Sequence, residues 1–89
     1  NNLKIFPNPF LLPSSSELTV DGLVEGSMIK ILSVSGNLVK EIPTPGGRVG
    51  FWDGTDEEGN FVASGVYIVT AFSKDGSAVG KGKVAVVRK

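Results

Sequence analysis

The 89-residue chain has no cysteine and no histidine, and only one tryptophan, one tyrosine and one methionine. Without histidine, the commonest general base and the commonest metal ligand are both missing, which removes Ser-His-Asp, Cys-His and the usual zinc chemistries together. Without cysteine no disulfide reinforces the fold, so the core must suffice, and cellular location is left open. Long apolar runs are absent too, so no segment reads as a membrane-spanning helix. Neither sign of charge dominates: nine Lys plus Arg balance nine Asp plus Glu, scattered along the chain. Nucleic-acid binding, which needs a basic stripe, is therefore disfavoured. The chain also begins Asn1-Asn2-Leu3 with neither an initiator methionine nor a signal peptide. It is expected to be a piece of a longer protein.

What is abundant is punctuation. Twelve glycines and five prolines separate short β-branched and aromatic runs, the pattern of an all-β sandwich or barrel. The length suits one domain, residues 1–89, that buries roughly 60–65% of its unfolded surface. No segment sustains helical periodicity over ten residues. Seven strands are expected: LKIF, ELTVDG, SMIKILSV, LVKEI, VGFWD, VYIVTAFS and the terminal AVGKGKVAVVRK. Pro7-Asn8-Pro9 should turn the chain out of the sheet through a polyproline-like bend. Val34 falls out of phase with Ile29 and Ile31, and a bulge near Ser33 would restore it. Ser35-Gly36-Asn37 and Lys74-Asp75-Gly76-Ser77 read as hairpin turns, and the Pro43–Gly47 loop as the passage between sheets. No internal repeat is evident.

The stretch FWDGTDEEGNFVASGVYIV, residues 51–69, admits three readings. Asp53, Asp56, Glu57 and Glu58 are potential calcium ligands, but the twelfth position from Asp53 is Ser64, so the helical calcium loop fails. Asp-Gly and Glu-Gly-Asn are otherwise turn chemistry, with solvated acids at the tip. Acid pairs on a loop lack the pocket that acid/base catalysis needs, and Ser14, Ser15 and Ser16 have no base to activate them. Trp52 is either a plate for sugars or a core anchor. Because neighbouring strand residues face opposite ways, Trp52 is expected inside and Phe51 at least partly exposed. Tyr67 is expected in the core with its hydroxyl on backbone. The residues thus give no catalytic site, no cofactor and no metal, and the chain is expected not to be an enzyme.

Four motifs in order, IFPNPF, VSGNLV, WDGTDEEGNFVASGVYIV and GKVAVVRK, closely resemble the C-terminal sorting domain of the Bacteroidetes type IX secretion system and the related Ig-like domain of the flagellar hook-capping protein. The resemblance covers nearly the whole chain. It implies a seven-stranded antiparallel immunoglobulin-like sandwich at the end of a larger cargo protein, exported through the periplasm to the cell surface, the outer membrane or the medium. It also implies as partners the type IX translocation machinery, a sortase-like peptidase, anionic lipopolysaccharide and the N-terminal domains of the parent. The positions that match are Pro7, Asn8 and Pro9, Gly36 and Val39, and Lys83 with Val84, Val86, Val87, Arg88 and Lys89. The long WDGTDEEGN hairpin departs from many sorting domains and suits a retained assembly module, or a glycan- or lipopolysaccharide-binding one. Under the sorting reading the terminal strand is an exposed strand that a receptor pairs with, and deleting Val86–Lys89 should abolish export while preserving the fold.

Overall fold

The computed structural model describes residues 2–89, which form eight strands and no helix. In chain order they are β1 (Lys4–Phe6), β2 (Phe10–Leu12), β3 (Leu18–Leu23), β4 (Ser27–Ser33), β5 (Leu38–Thr44), β6 (Arg48–Trp52), β7 (Gly65–Phe72) and β8 (Ala78–Arg88). They make two sheets, a three-stranded one ordered β1-β3-β6 and a five-stranded one ordered β2-β8-β7-β4-β5. The all-β sandwich expectation holds in this form. The count and the direction do not: there are eight strands rather than seven, and the larger sheet is mixed because β2 runs parallel to β8. The extra strand arises at Pro7-Asn8-Pro9. The prolines, each with a cis peptide bond before it, bend the chain out of one sheet, as expected, and into the other. The residues after the bend, Phe10-Leu11-Leu12, then pair with the far end of the chain. A parallel pair needs a crossover, and here the crossover is almost the whole domain, so no local turn signal marks it.

The core follows from period-two alternation. Leu18 and Val20 of β3, Ile29 and Ile31 of β4, Val69 and Ala71 of β7, and Val84 and Val86 of β8 all point between the sheets and are buried. Trp52 at the end of β6 is 1% exposed, with the Phe10 ring 6.1 Å away on one side and the Tyr67 ring 5.9 Å away on the other. Its indole N–H donates to the Thr55 carbonyl at 2.8 Å, so the one polar atom of the anchor is satisfied. Tyr67 does the same, its hydroxyl donating to the Ala63 carbonyl at 2.7 Å, and burial raises its pKa above the usual phenol value. Phe51, one residue before the anchor, is 51% exposed.

The hairpins β4–β5 and β7–β8 share one design that the sequence reading missed. Ser33-Val34-Ser35-Gly36-Asn37-Leu38-Val39 and Ser73-Lys74-Asp75-Gly76-Ser77-Ala78-Val79 follow the same S-x-x-G-x-x-V pattern. In each, the first serine N–H donates to the carbonyl four residues on at 2.9 Å, and the glycine N–H returns to the serine carbonyl at 2.9 Å. Gly36 and Gly76 have φ of 91° and 87°, a conformation that favours glycine. One residue after the turn is extra in the register: Val39 between the pairs Leu32↔Leu38 and Ile31↔Lys40, and Val79 between Phe72↔Ala78 and Ala71↔Gly80. The expected bulge therefore exists, but on β5 at Val39, opposite Ile31 and Leu32. It does not rescue Val34, which lies in the turn and is 69% exposed.

The second turn carries a titratable lock. The Asp75 carboxylate accepts from the Ser73 hydroxyl and the Ser77 amide, and these bonds hold its pKa down to about 2. The lowered value means that the turn is favoured above the unfolded value of 3.8 and that this preference disappears as pH falls through about 2. A carboxyl-carbon NMR titration should place the Asp75 midpoint near 2; an unshifted midpoint would mean that the turn does not hold the carboxylate.

Candidate functional site

The residues singled out by resemblance fall into two groups in space. Pro7, Asn8 and Pro9 lie against Lys83–Lys89, so the beginning and the end of the domain form one surface. Asn8 joins them: its Oδ1 accepts from the Ala85 amide at 3.1 Å, and its Nδ2 donates to the Lys83 carbonyl at 3.4 Å. The carboxamide thus occupies the place of a strand residue beside β8. This is needed because β1 has turned away to pair with β3, as in Ile5↔Val20. On either side of Asn8 the main chain itself closes the edge. The Leu3 amide donates to the Lys81 carbonyl at 3.1 Å, β2 pairs Phe10↔Val86 and Leu12↔Arg88, and the Lys89 amide donates to the Leu12 carbonyl at 3.0 Å.

The terminal strand is therefore not an exposed strand awaiting a partner. It lies between β2 and β7, and pairing by strand addition is blocked. Phe10 and Leu12 are each 1% exposed, so β2 is fixed in place by its side chains. The end of β8 is held from the other side as well. The Ser64 hydroxyl accepts from the Arg88 amide at 2.8 Å and donates to the Arg88 carbonyl at 3.4 Å, while the Arg88 guanidinium donates to the Phe61 carbonyl at 3.2 Å. Of the terminal candidates, Val84 and Val86 belong to the core, and Lys83, Val87, Arg88 and Lys89 face solvent. Deleting Val86–Lys89 would remove a core side chain, so it is not the fold-neutral truncation that the sequence suggested.

Leu11 completes this surface, and sequence reasoning passed over it because β2 went unrecognised. It is 54% exposed and pairs with Val87, itself 45% exposed. Pro7, Asn8 and Pro9 are exposed beside them. The result is a small apolar step, Leu11 and Val87, on the face of β8 that also carries Lys83 and Lys89, while Arg88 projects to the other face toward Phe61. Three residues between prolines, alternating in, out and in, were the available signal.

Gly36 and Val39 do not join this strip along β2 and β8. Gly36 forms the turn and Val39 the bulge described above, and Val39 packs on the core. Val39, but not Gly36, lines a shallow open depression of about 660 Å³ together with Phe61, Tyr67 and Arg88.

The acidic loop is turn chemistry. Asp53 Oδ1 accepts from both the Thr55 amide and hydroxyl, Asp56 Oδ1 from the Glu58 and Asn60 amides at 2.9 and 3.0 Å, and Glu57 Oε2 from the Glu41 amide at 3.0 Å. Among the described residues no three acids converge as metal ligands. Partial burial of Asp53 opposes its ionisation. The Thr55 hydrogen bonds and the charge of Lys40 outweigh that and lower its pKa below the usual value. Lys40 itself reaches the Thr55 hydroxyl at 3.0 Å and the Asp56 carbonyl at 3.3 Å, tying the loop to β5. Gly54 is fixed twice over: its φ is +85°, and a Cβ there would meet Leu12 Cδ2 at 2.6 Å. Trp52, buried as described, offers no plate to a sugar.

No protein-family model and no curated protein matches the chain. Among solved structures it is similar to part of PorZ of Porphyromonas gingivalis, described as an essential bacterial surface component of the type IX secretion system. The identity is 28% and the TM-score 0.78 over 97% of this chain. The chain spans only 11% of PorZ, so the likeness is to one segment of a much longer protein. CopC from Methylosinus trichosporium OB3b matches over 98% of this chain and 95% of its own, at 21% identity and a TM-score of 0.53, a likeness of fold alone.

Proposed function

We propose that this domain is a non-catalytic, folded address for export by a type IX secretion system and for attachment at the cell surface. The observation that carries the reading is the likeness to the PorZ segment over 97% of this chain, which agrees with the order of motifs in the sequence. An immunoglobulin-like arrangement suits it: the Tyr67 hydroxyl bonds a carbonyl four residues upstream, in the manner of the tyrosine corner of such sandwiches. Because β8 has no open edge, the address is read as a surface. The apolar step of Leu11 and Val87, with Lys83, Lys89 and the Pro7–Pro9 bend around it, is the readable element. The translocation machinery is the first partner, with a sortase-like peptidase and anionic lipopolysaccharide acting after export.

The test fuses the 89 residues, behind a periplasmic signal, to a fluorescent reporter in a bacterium with type IX machinery. Surface or medium fluorescence is expected, and it should vanish in a machinery-deficient strain. The double variant Leu11→Lys, Val87→Lys changes only exposed side chains and is expected to leave a folded domain in the periplasm. Wild-type retention in the periplasm would overturn the reading. A second reading, a module retained on the mature protein, is favoured by PorZ being itself a surface component. The mass of the reporter recovered from the surface, with or without the domain, separates the two.

A further inference from the structure

Asp-Gly occurs three times, at Asp21-Gly22, Asp53-Gly54 and Asp75-Gly76. In this dipeptide a side-chain carboxyl and the next main-chain nitrogen can react with each other, because glycine puts no Cβ in the way. The fold treats the three differently. At Asp53 the carboxylate is turned past Gly54 to the Thr55 amide and hydroxyl, and Gly54 is buried. At Asp75 the carboxylate is held by Ser73 and Ser77, and the Gly76 amide is committed to the Ser73 carbonyl at 2.9 Å.

At Asp21 the reacting pair faces itself. Oδ1 accepts from the amide of Gly22 at 2.7 Å, so the carboxyl carbon, one bond further on, lies beside the nitrogen that can attack it. Gly22 sits in the bulge of β3. Its neighbours pair as Asp21↔Val49 and Leu23↔Arg48, and the β1 register stops at Lys4↔Asp21, so Gly22 stands opposite no residue on either side. It is exposed, and a Cβ built there would come only within 3.7 Å of Leu3. A ring can therefore close at this position without displacing a strand partner, and water can reach it.

We infer that Asp21-Gly22 is a spontaneous modification site at which the main chain isomerises to isoaspartate. The Gly22 N–H points at the carboxyl, so loss of that proton leaves the electron pair aimed at it, as a near-attack arrangement requires. The Gly22 nitrogen bonds Asp21 Cγ, the Cγ–OH bond of the protonated carboxyl breaks, and the hydroxyl and the amide proton leave as water. The product is a five-membered succinimide, which water then opens. Attack at Cγ restores aspartate. Attack at the main-chain carbonyl carbon of Asp21 leaves the chain running through Cβ and Cγ, with a free α-carboxylate. One water leaves and one enters, so no other reactant is needed. The isomerised link is one carbon longer. β3 is the middle strand of its sheet, and Val20 and Leu23, on either side of the pair, are in the core. The extra carbon thus falls between two core positions and disturbs the register with β1 and β6.

The test incubates the 89-residue chain in mildly acidic buffer at physiological temperature, both folded and in guanidinium chloride. Peptide mapping by mass spectrometry in isotopically labelled water counts ring openings at each Asp-Gly. In the unfolded chain the three sites should react at similar rates. In the folded chain Asp53 and Asp75 should slow by ~100-fold, while Asp21 keeps its unfolded rate or exceeds it. Asp21→Asn reaches the same ring by expelling ammonia and should deamidate in the folded chain. Asp21→Glu keeps the charge but must close a six-membered ring, and should give no product at this position. The isomerised chain, separated from the intact one, should melt several degrees lower. A folded Asp21 that slows as much as Asp53 and Asp75 overturns the inference, and so does an Asp21→Asn chain that deamidates only when unfolded. An isomerised chain that melts with the intact one overturns the effect on the sheet.

Discussion

Replacing Trp52 by alanine is expected to remove a large part of the stability of the domain. Removing a buried aromatic side chain costs about 3–5 kcal/mol. A chain of this length is stable by only about 4–13 kcal/mol in total. Trp52 should lie at the upper end of that cost, because it contacts both Phe10 and Tyr67 and so joins β2, β6 and β7. Its loss also frees the Thr55 carbonyl at the start of the acidic loop. Trp52→Phe separates the two contributions: it keeps most of the packing and leaves that carbonyl without its donor, at a cost of about 1–3 kcal/mol. Urea unfolding followed by far-ultraviolet circular dichroism measures both. A Trp52→Ala domain that loses less than about 1 kcal/mol would show that the core does not depend on this residue.

The features legible in the sequence were those set by neighbours along the chain. Trp52 inside and Phe51 outside follow from alternation alone, and so do the faces of β3, β4 and β7. The Gly36 and Gly76 turns follow from residue type, and the carboxylates of the Asp53–Asn60 loop do what Asp-Gly and Glu-Gly-Asn stretches ordinarily do. What was not legible depends on distant pairs. β2 is three residues whose partner lies more than seventy positions away, as in Phe10↔Val86, and nothing local announces a parallel pair. The Asn8 carboxamide bonds residues 75 and 77 positions distant, an arrangement that composition cannot reveal. This is why the terminal strand read as exposed. Its alternation is that of an ordinary last strand, and only the fold shows that the chain's beginning has closed its edge. The matched positions divide on the same line: Gly36, Val39, Val84 and Val86 are needed to build the domain, whereas Lys83, Val87 and Lys89 expose their side chains and Arg88 is exposed but bonded to Ser64 and Phe61.

That division makes deletion of Val86–Lys89 a test of stability before it is a test of export. Val86 is 2% exposed and pairs with Gly65 of β7 on one side and Phe10 of β2 on the other. Losing its side chain costs about 1.5–3 kcal/mol in burial. Losing its backbone leaves β2 without the strand on which it lies, and Phe10 and Leu12 can no longer be held in the core. The summed loss should exceed about 5 kcal/mol, most of the stability of a small domain. The truncated chain is therefore expected to show no cooperative thermal transition and no dispersed amide spectrum. Removing Arg88 and Lys89 alone keeps Val86 and the Phe10↔Val86 and Leu11↔Val87 pairs, and forfeits the Leu12↔Arg88 pair with the Ser64, Phe61 and Leu12 hydrogen bonds at the strand end, so that shorter chain should melt a few degrees lower and remain folded. Export lost in the longer deletion would then report a missing fold. Export lost in the shorter deletion, or in the Leu11→Lys, Val87→Lys variant, would report a missing recognition surface. If the four-residue deletion melted within a few degrees of the intact domain, β8 would not be the support of β2.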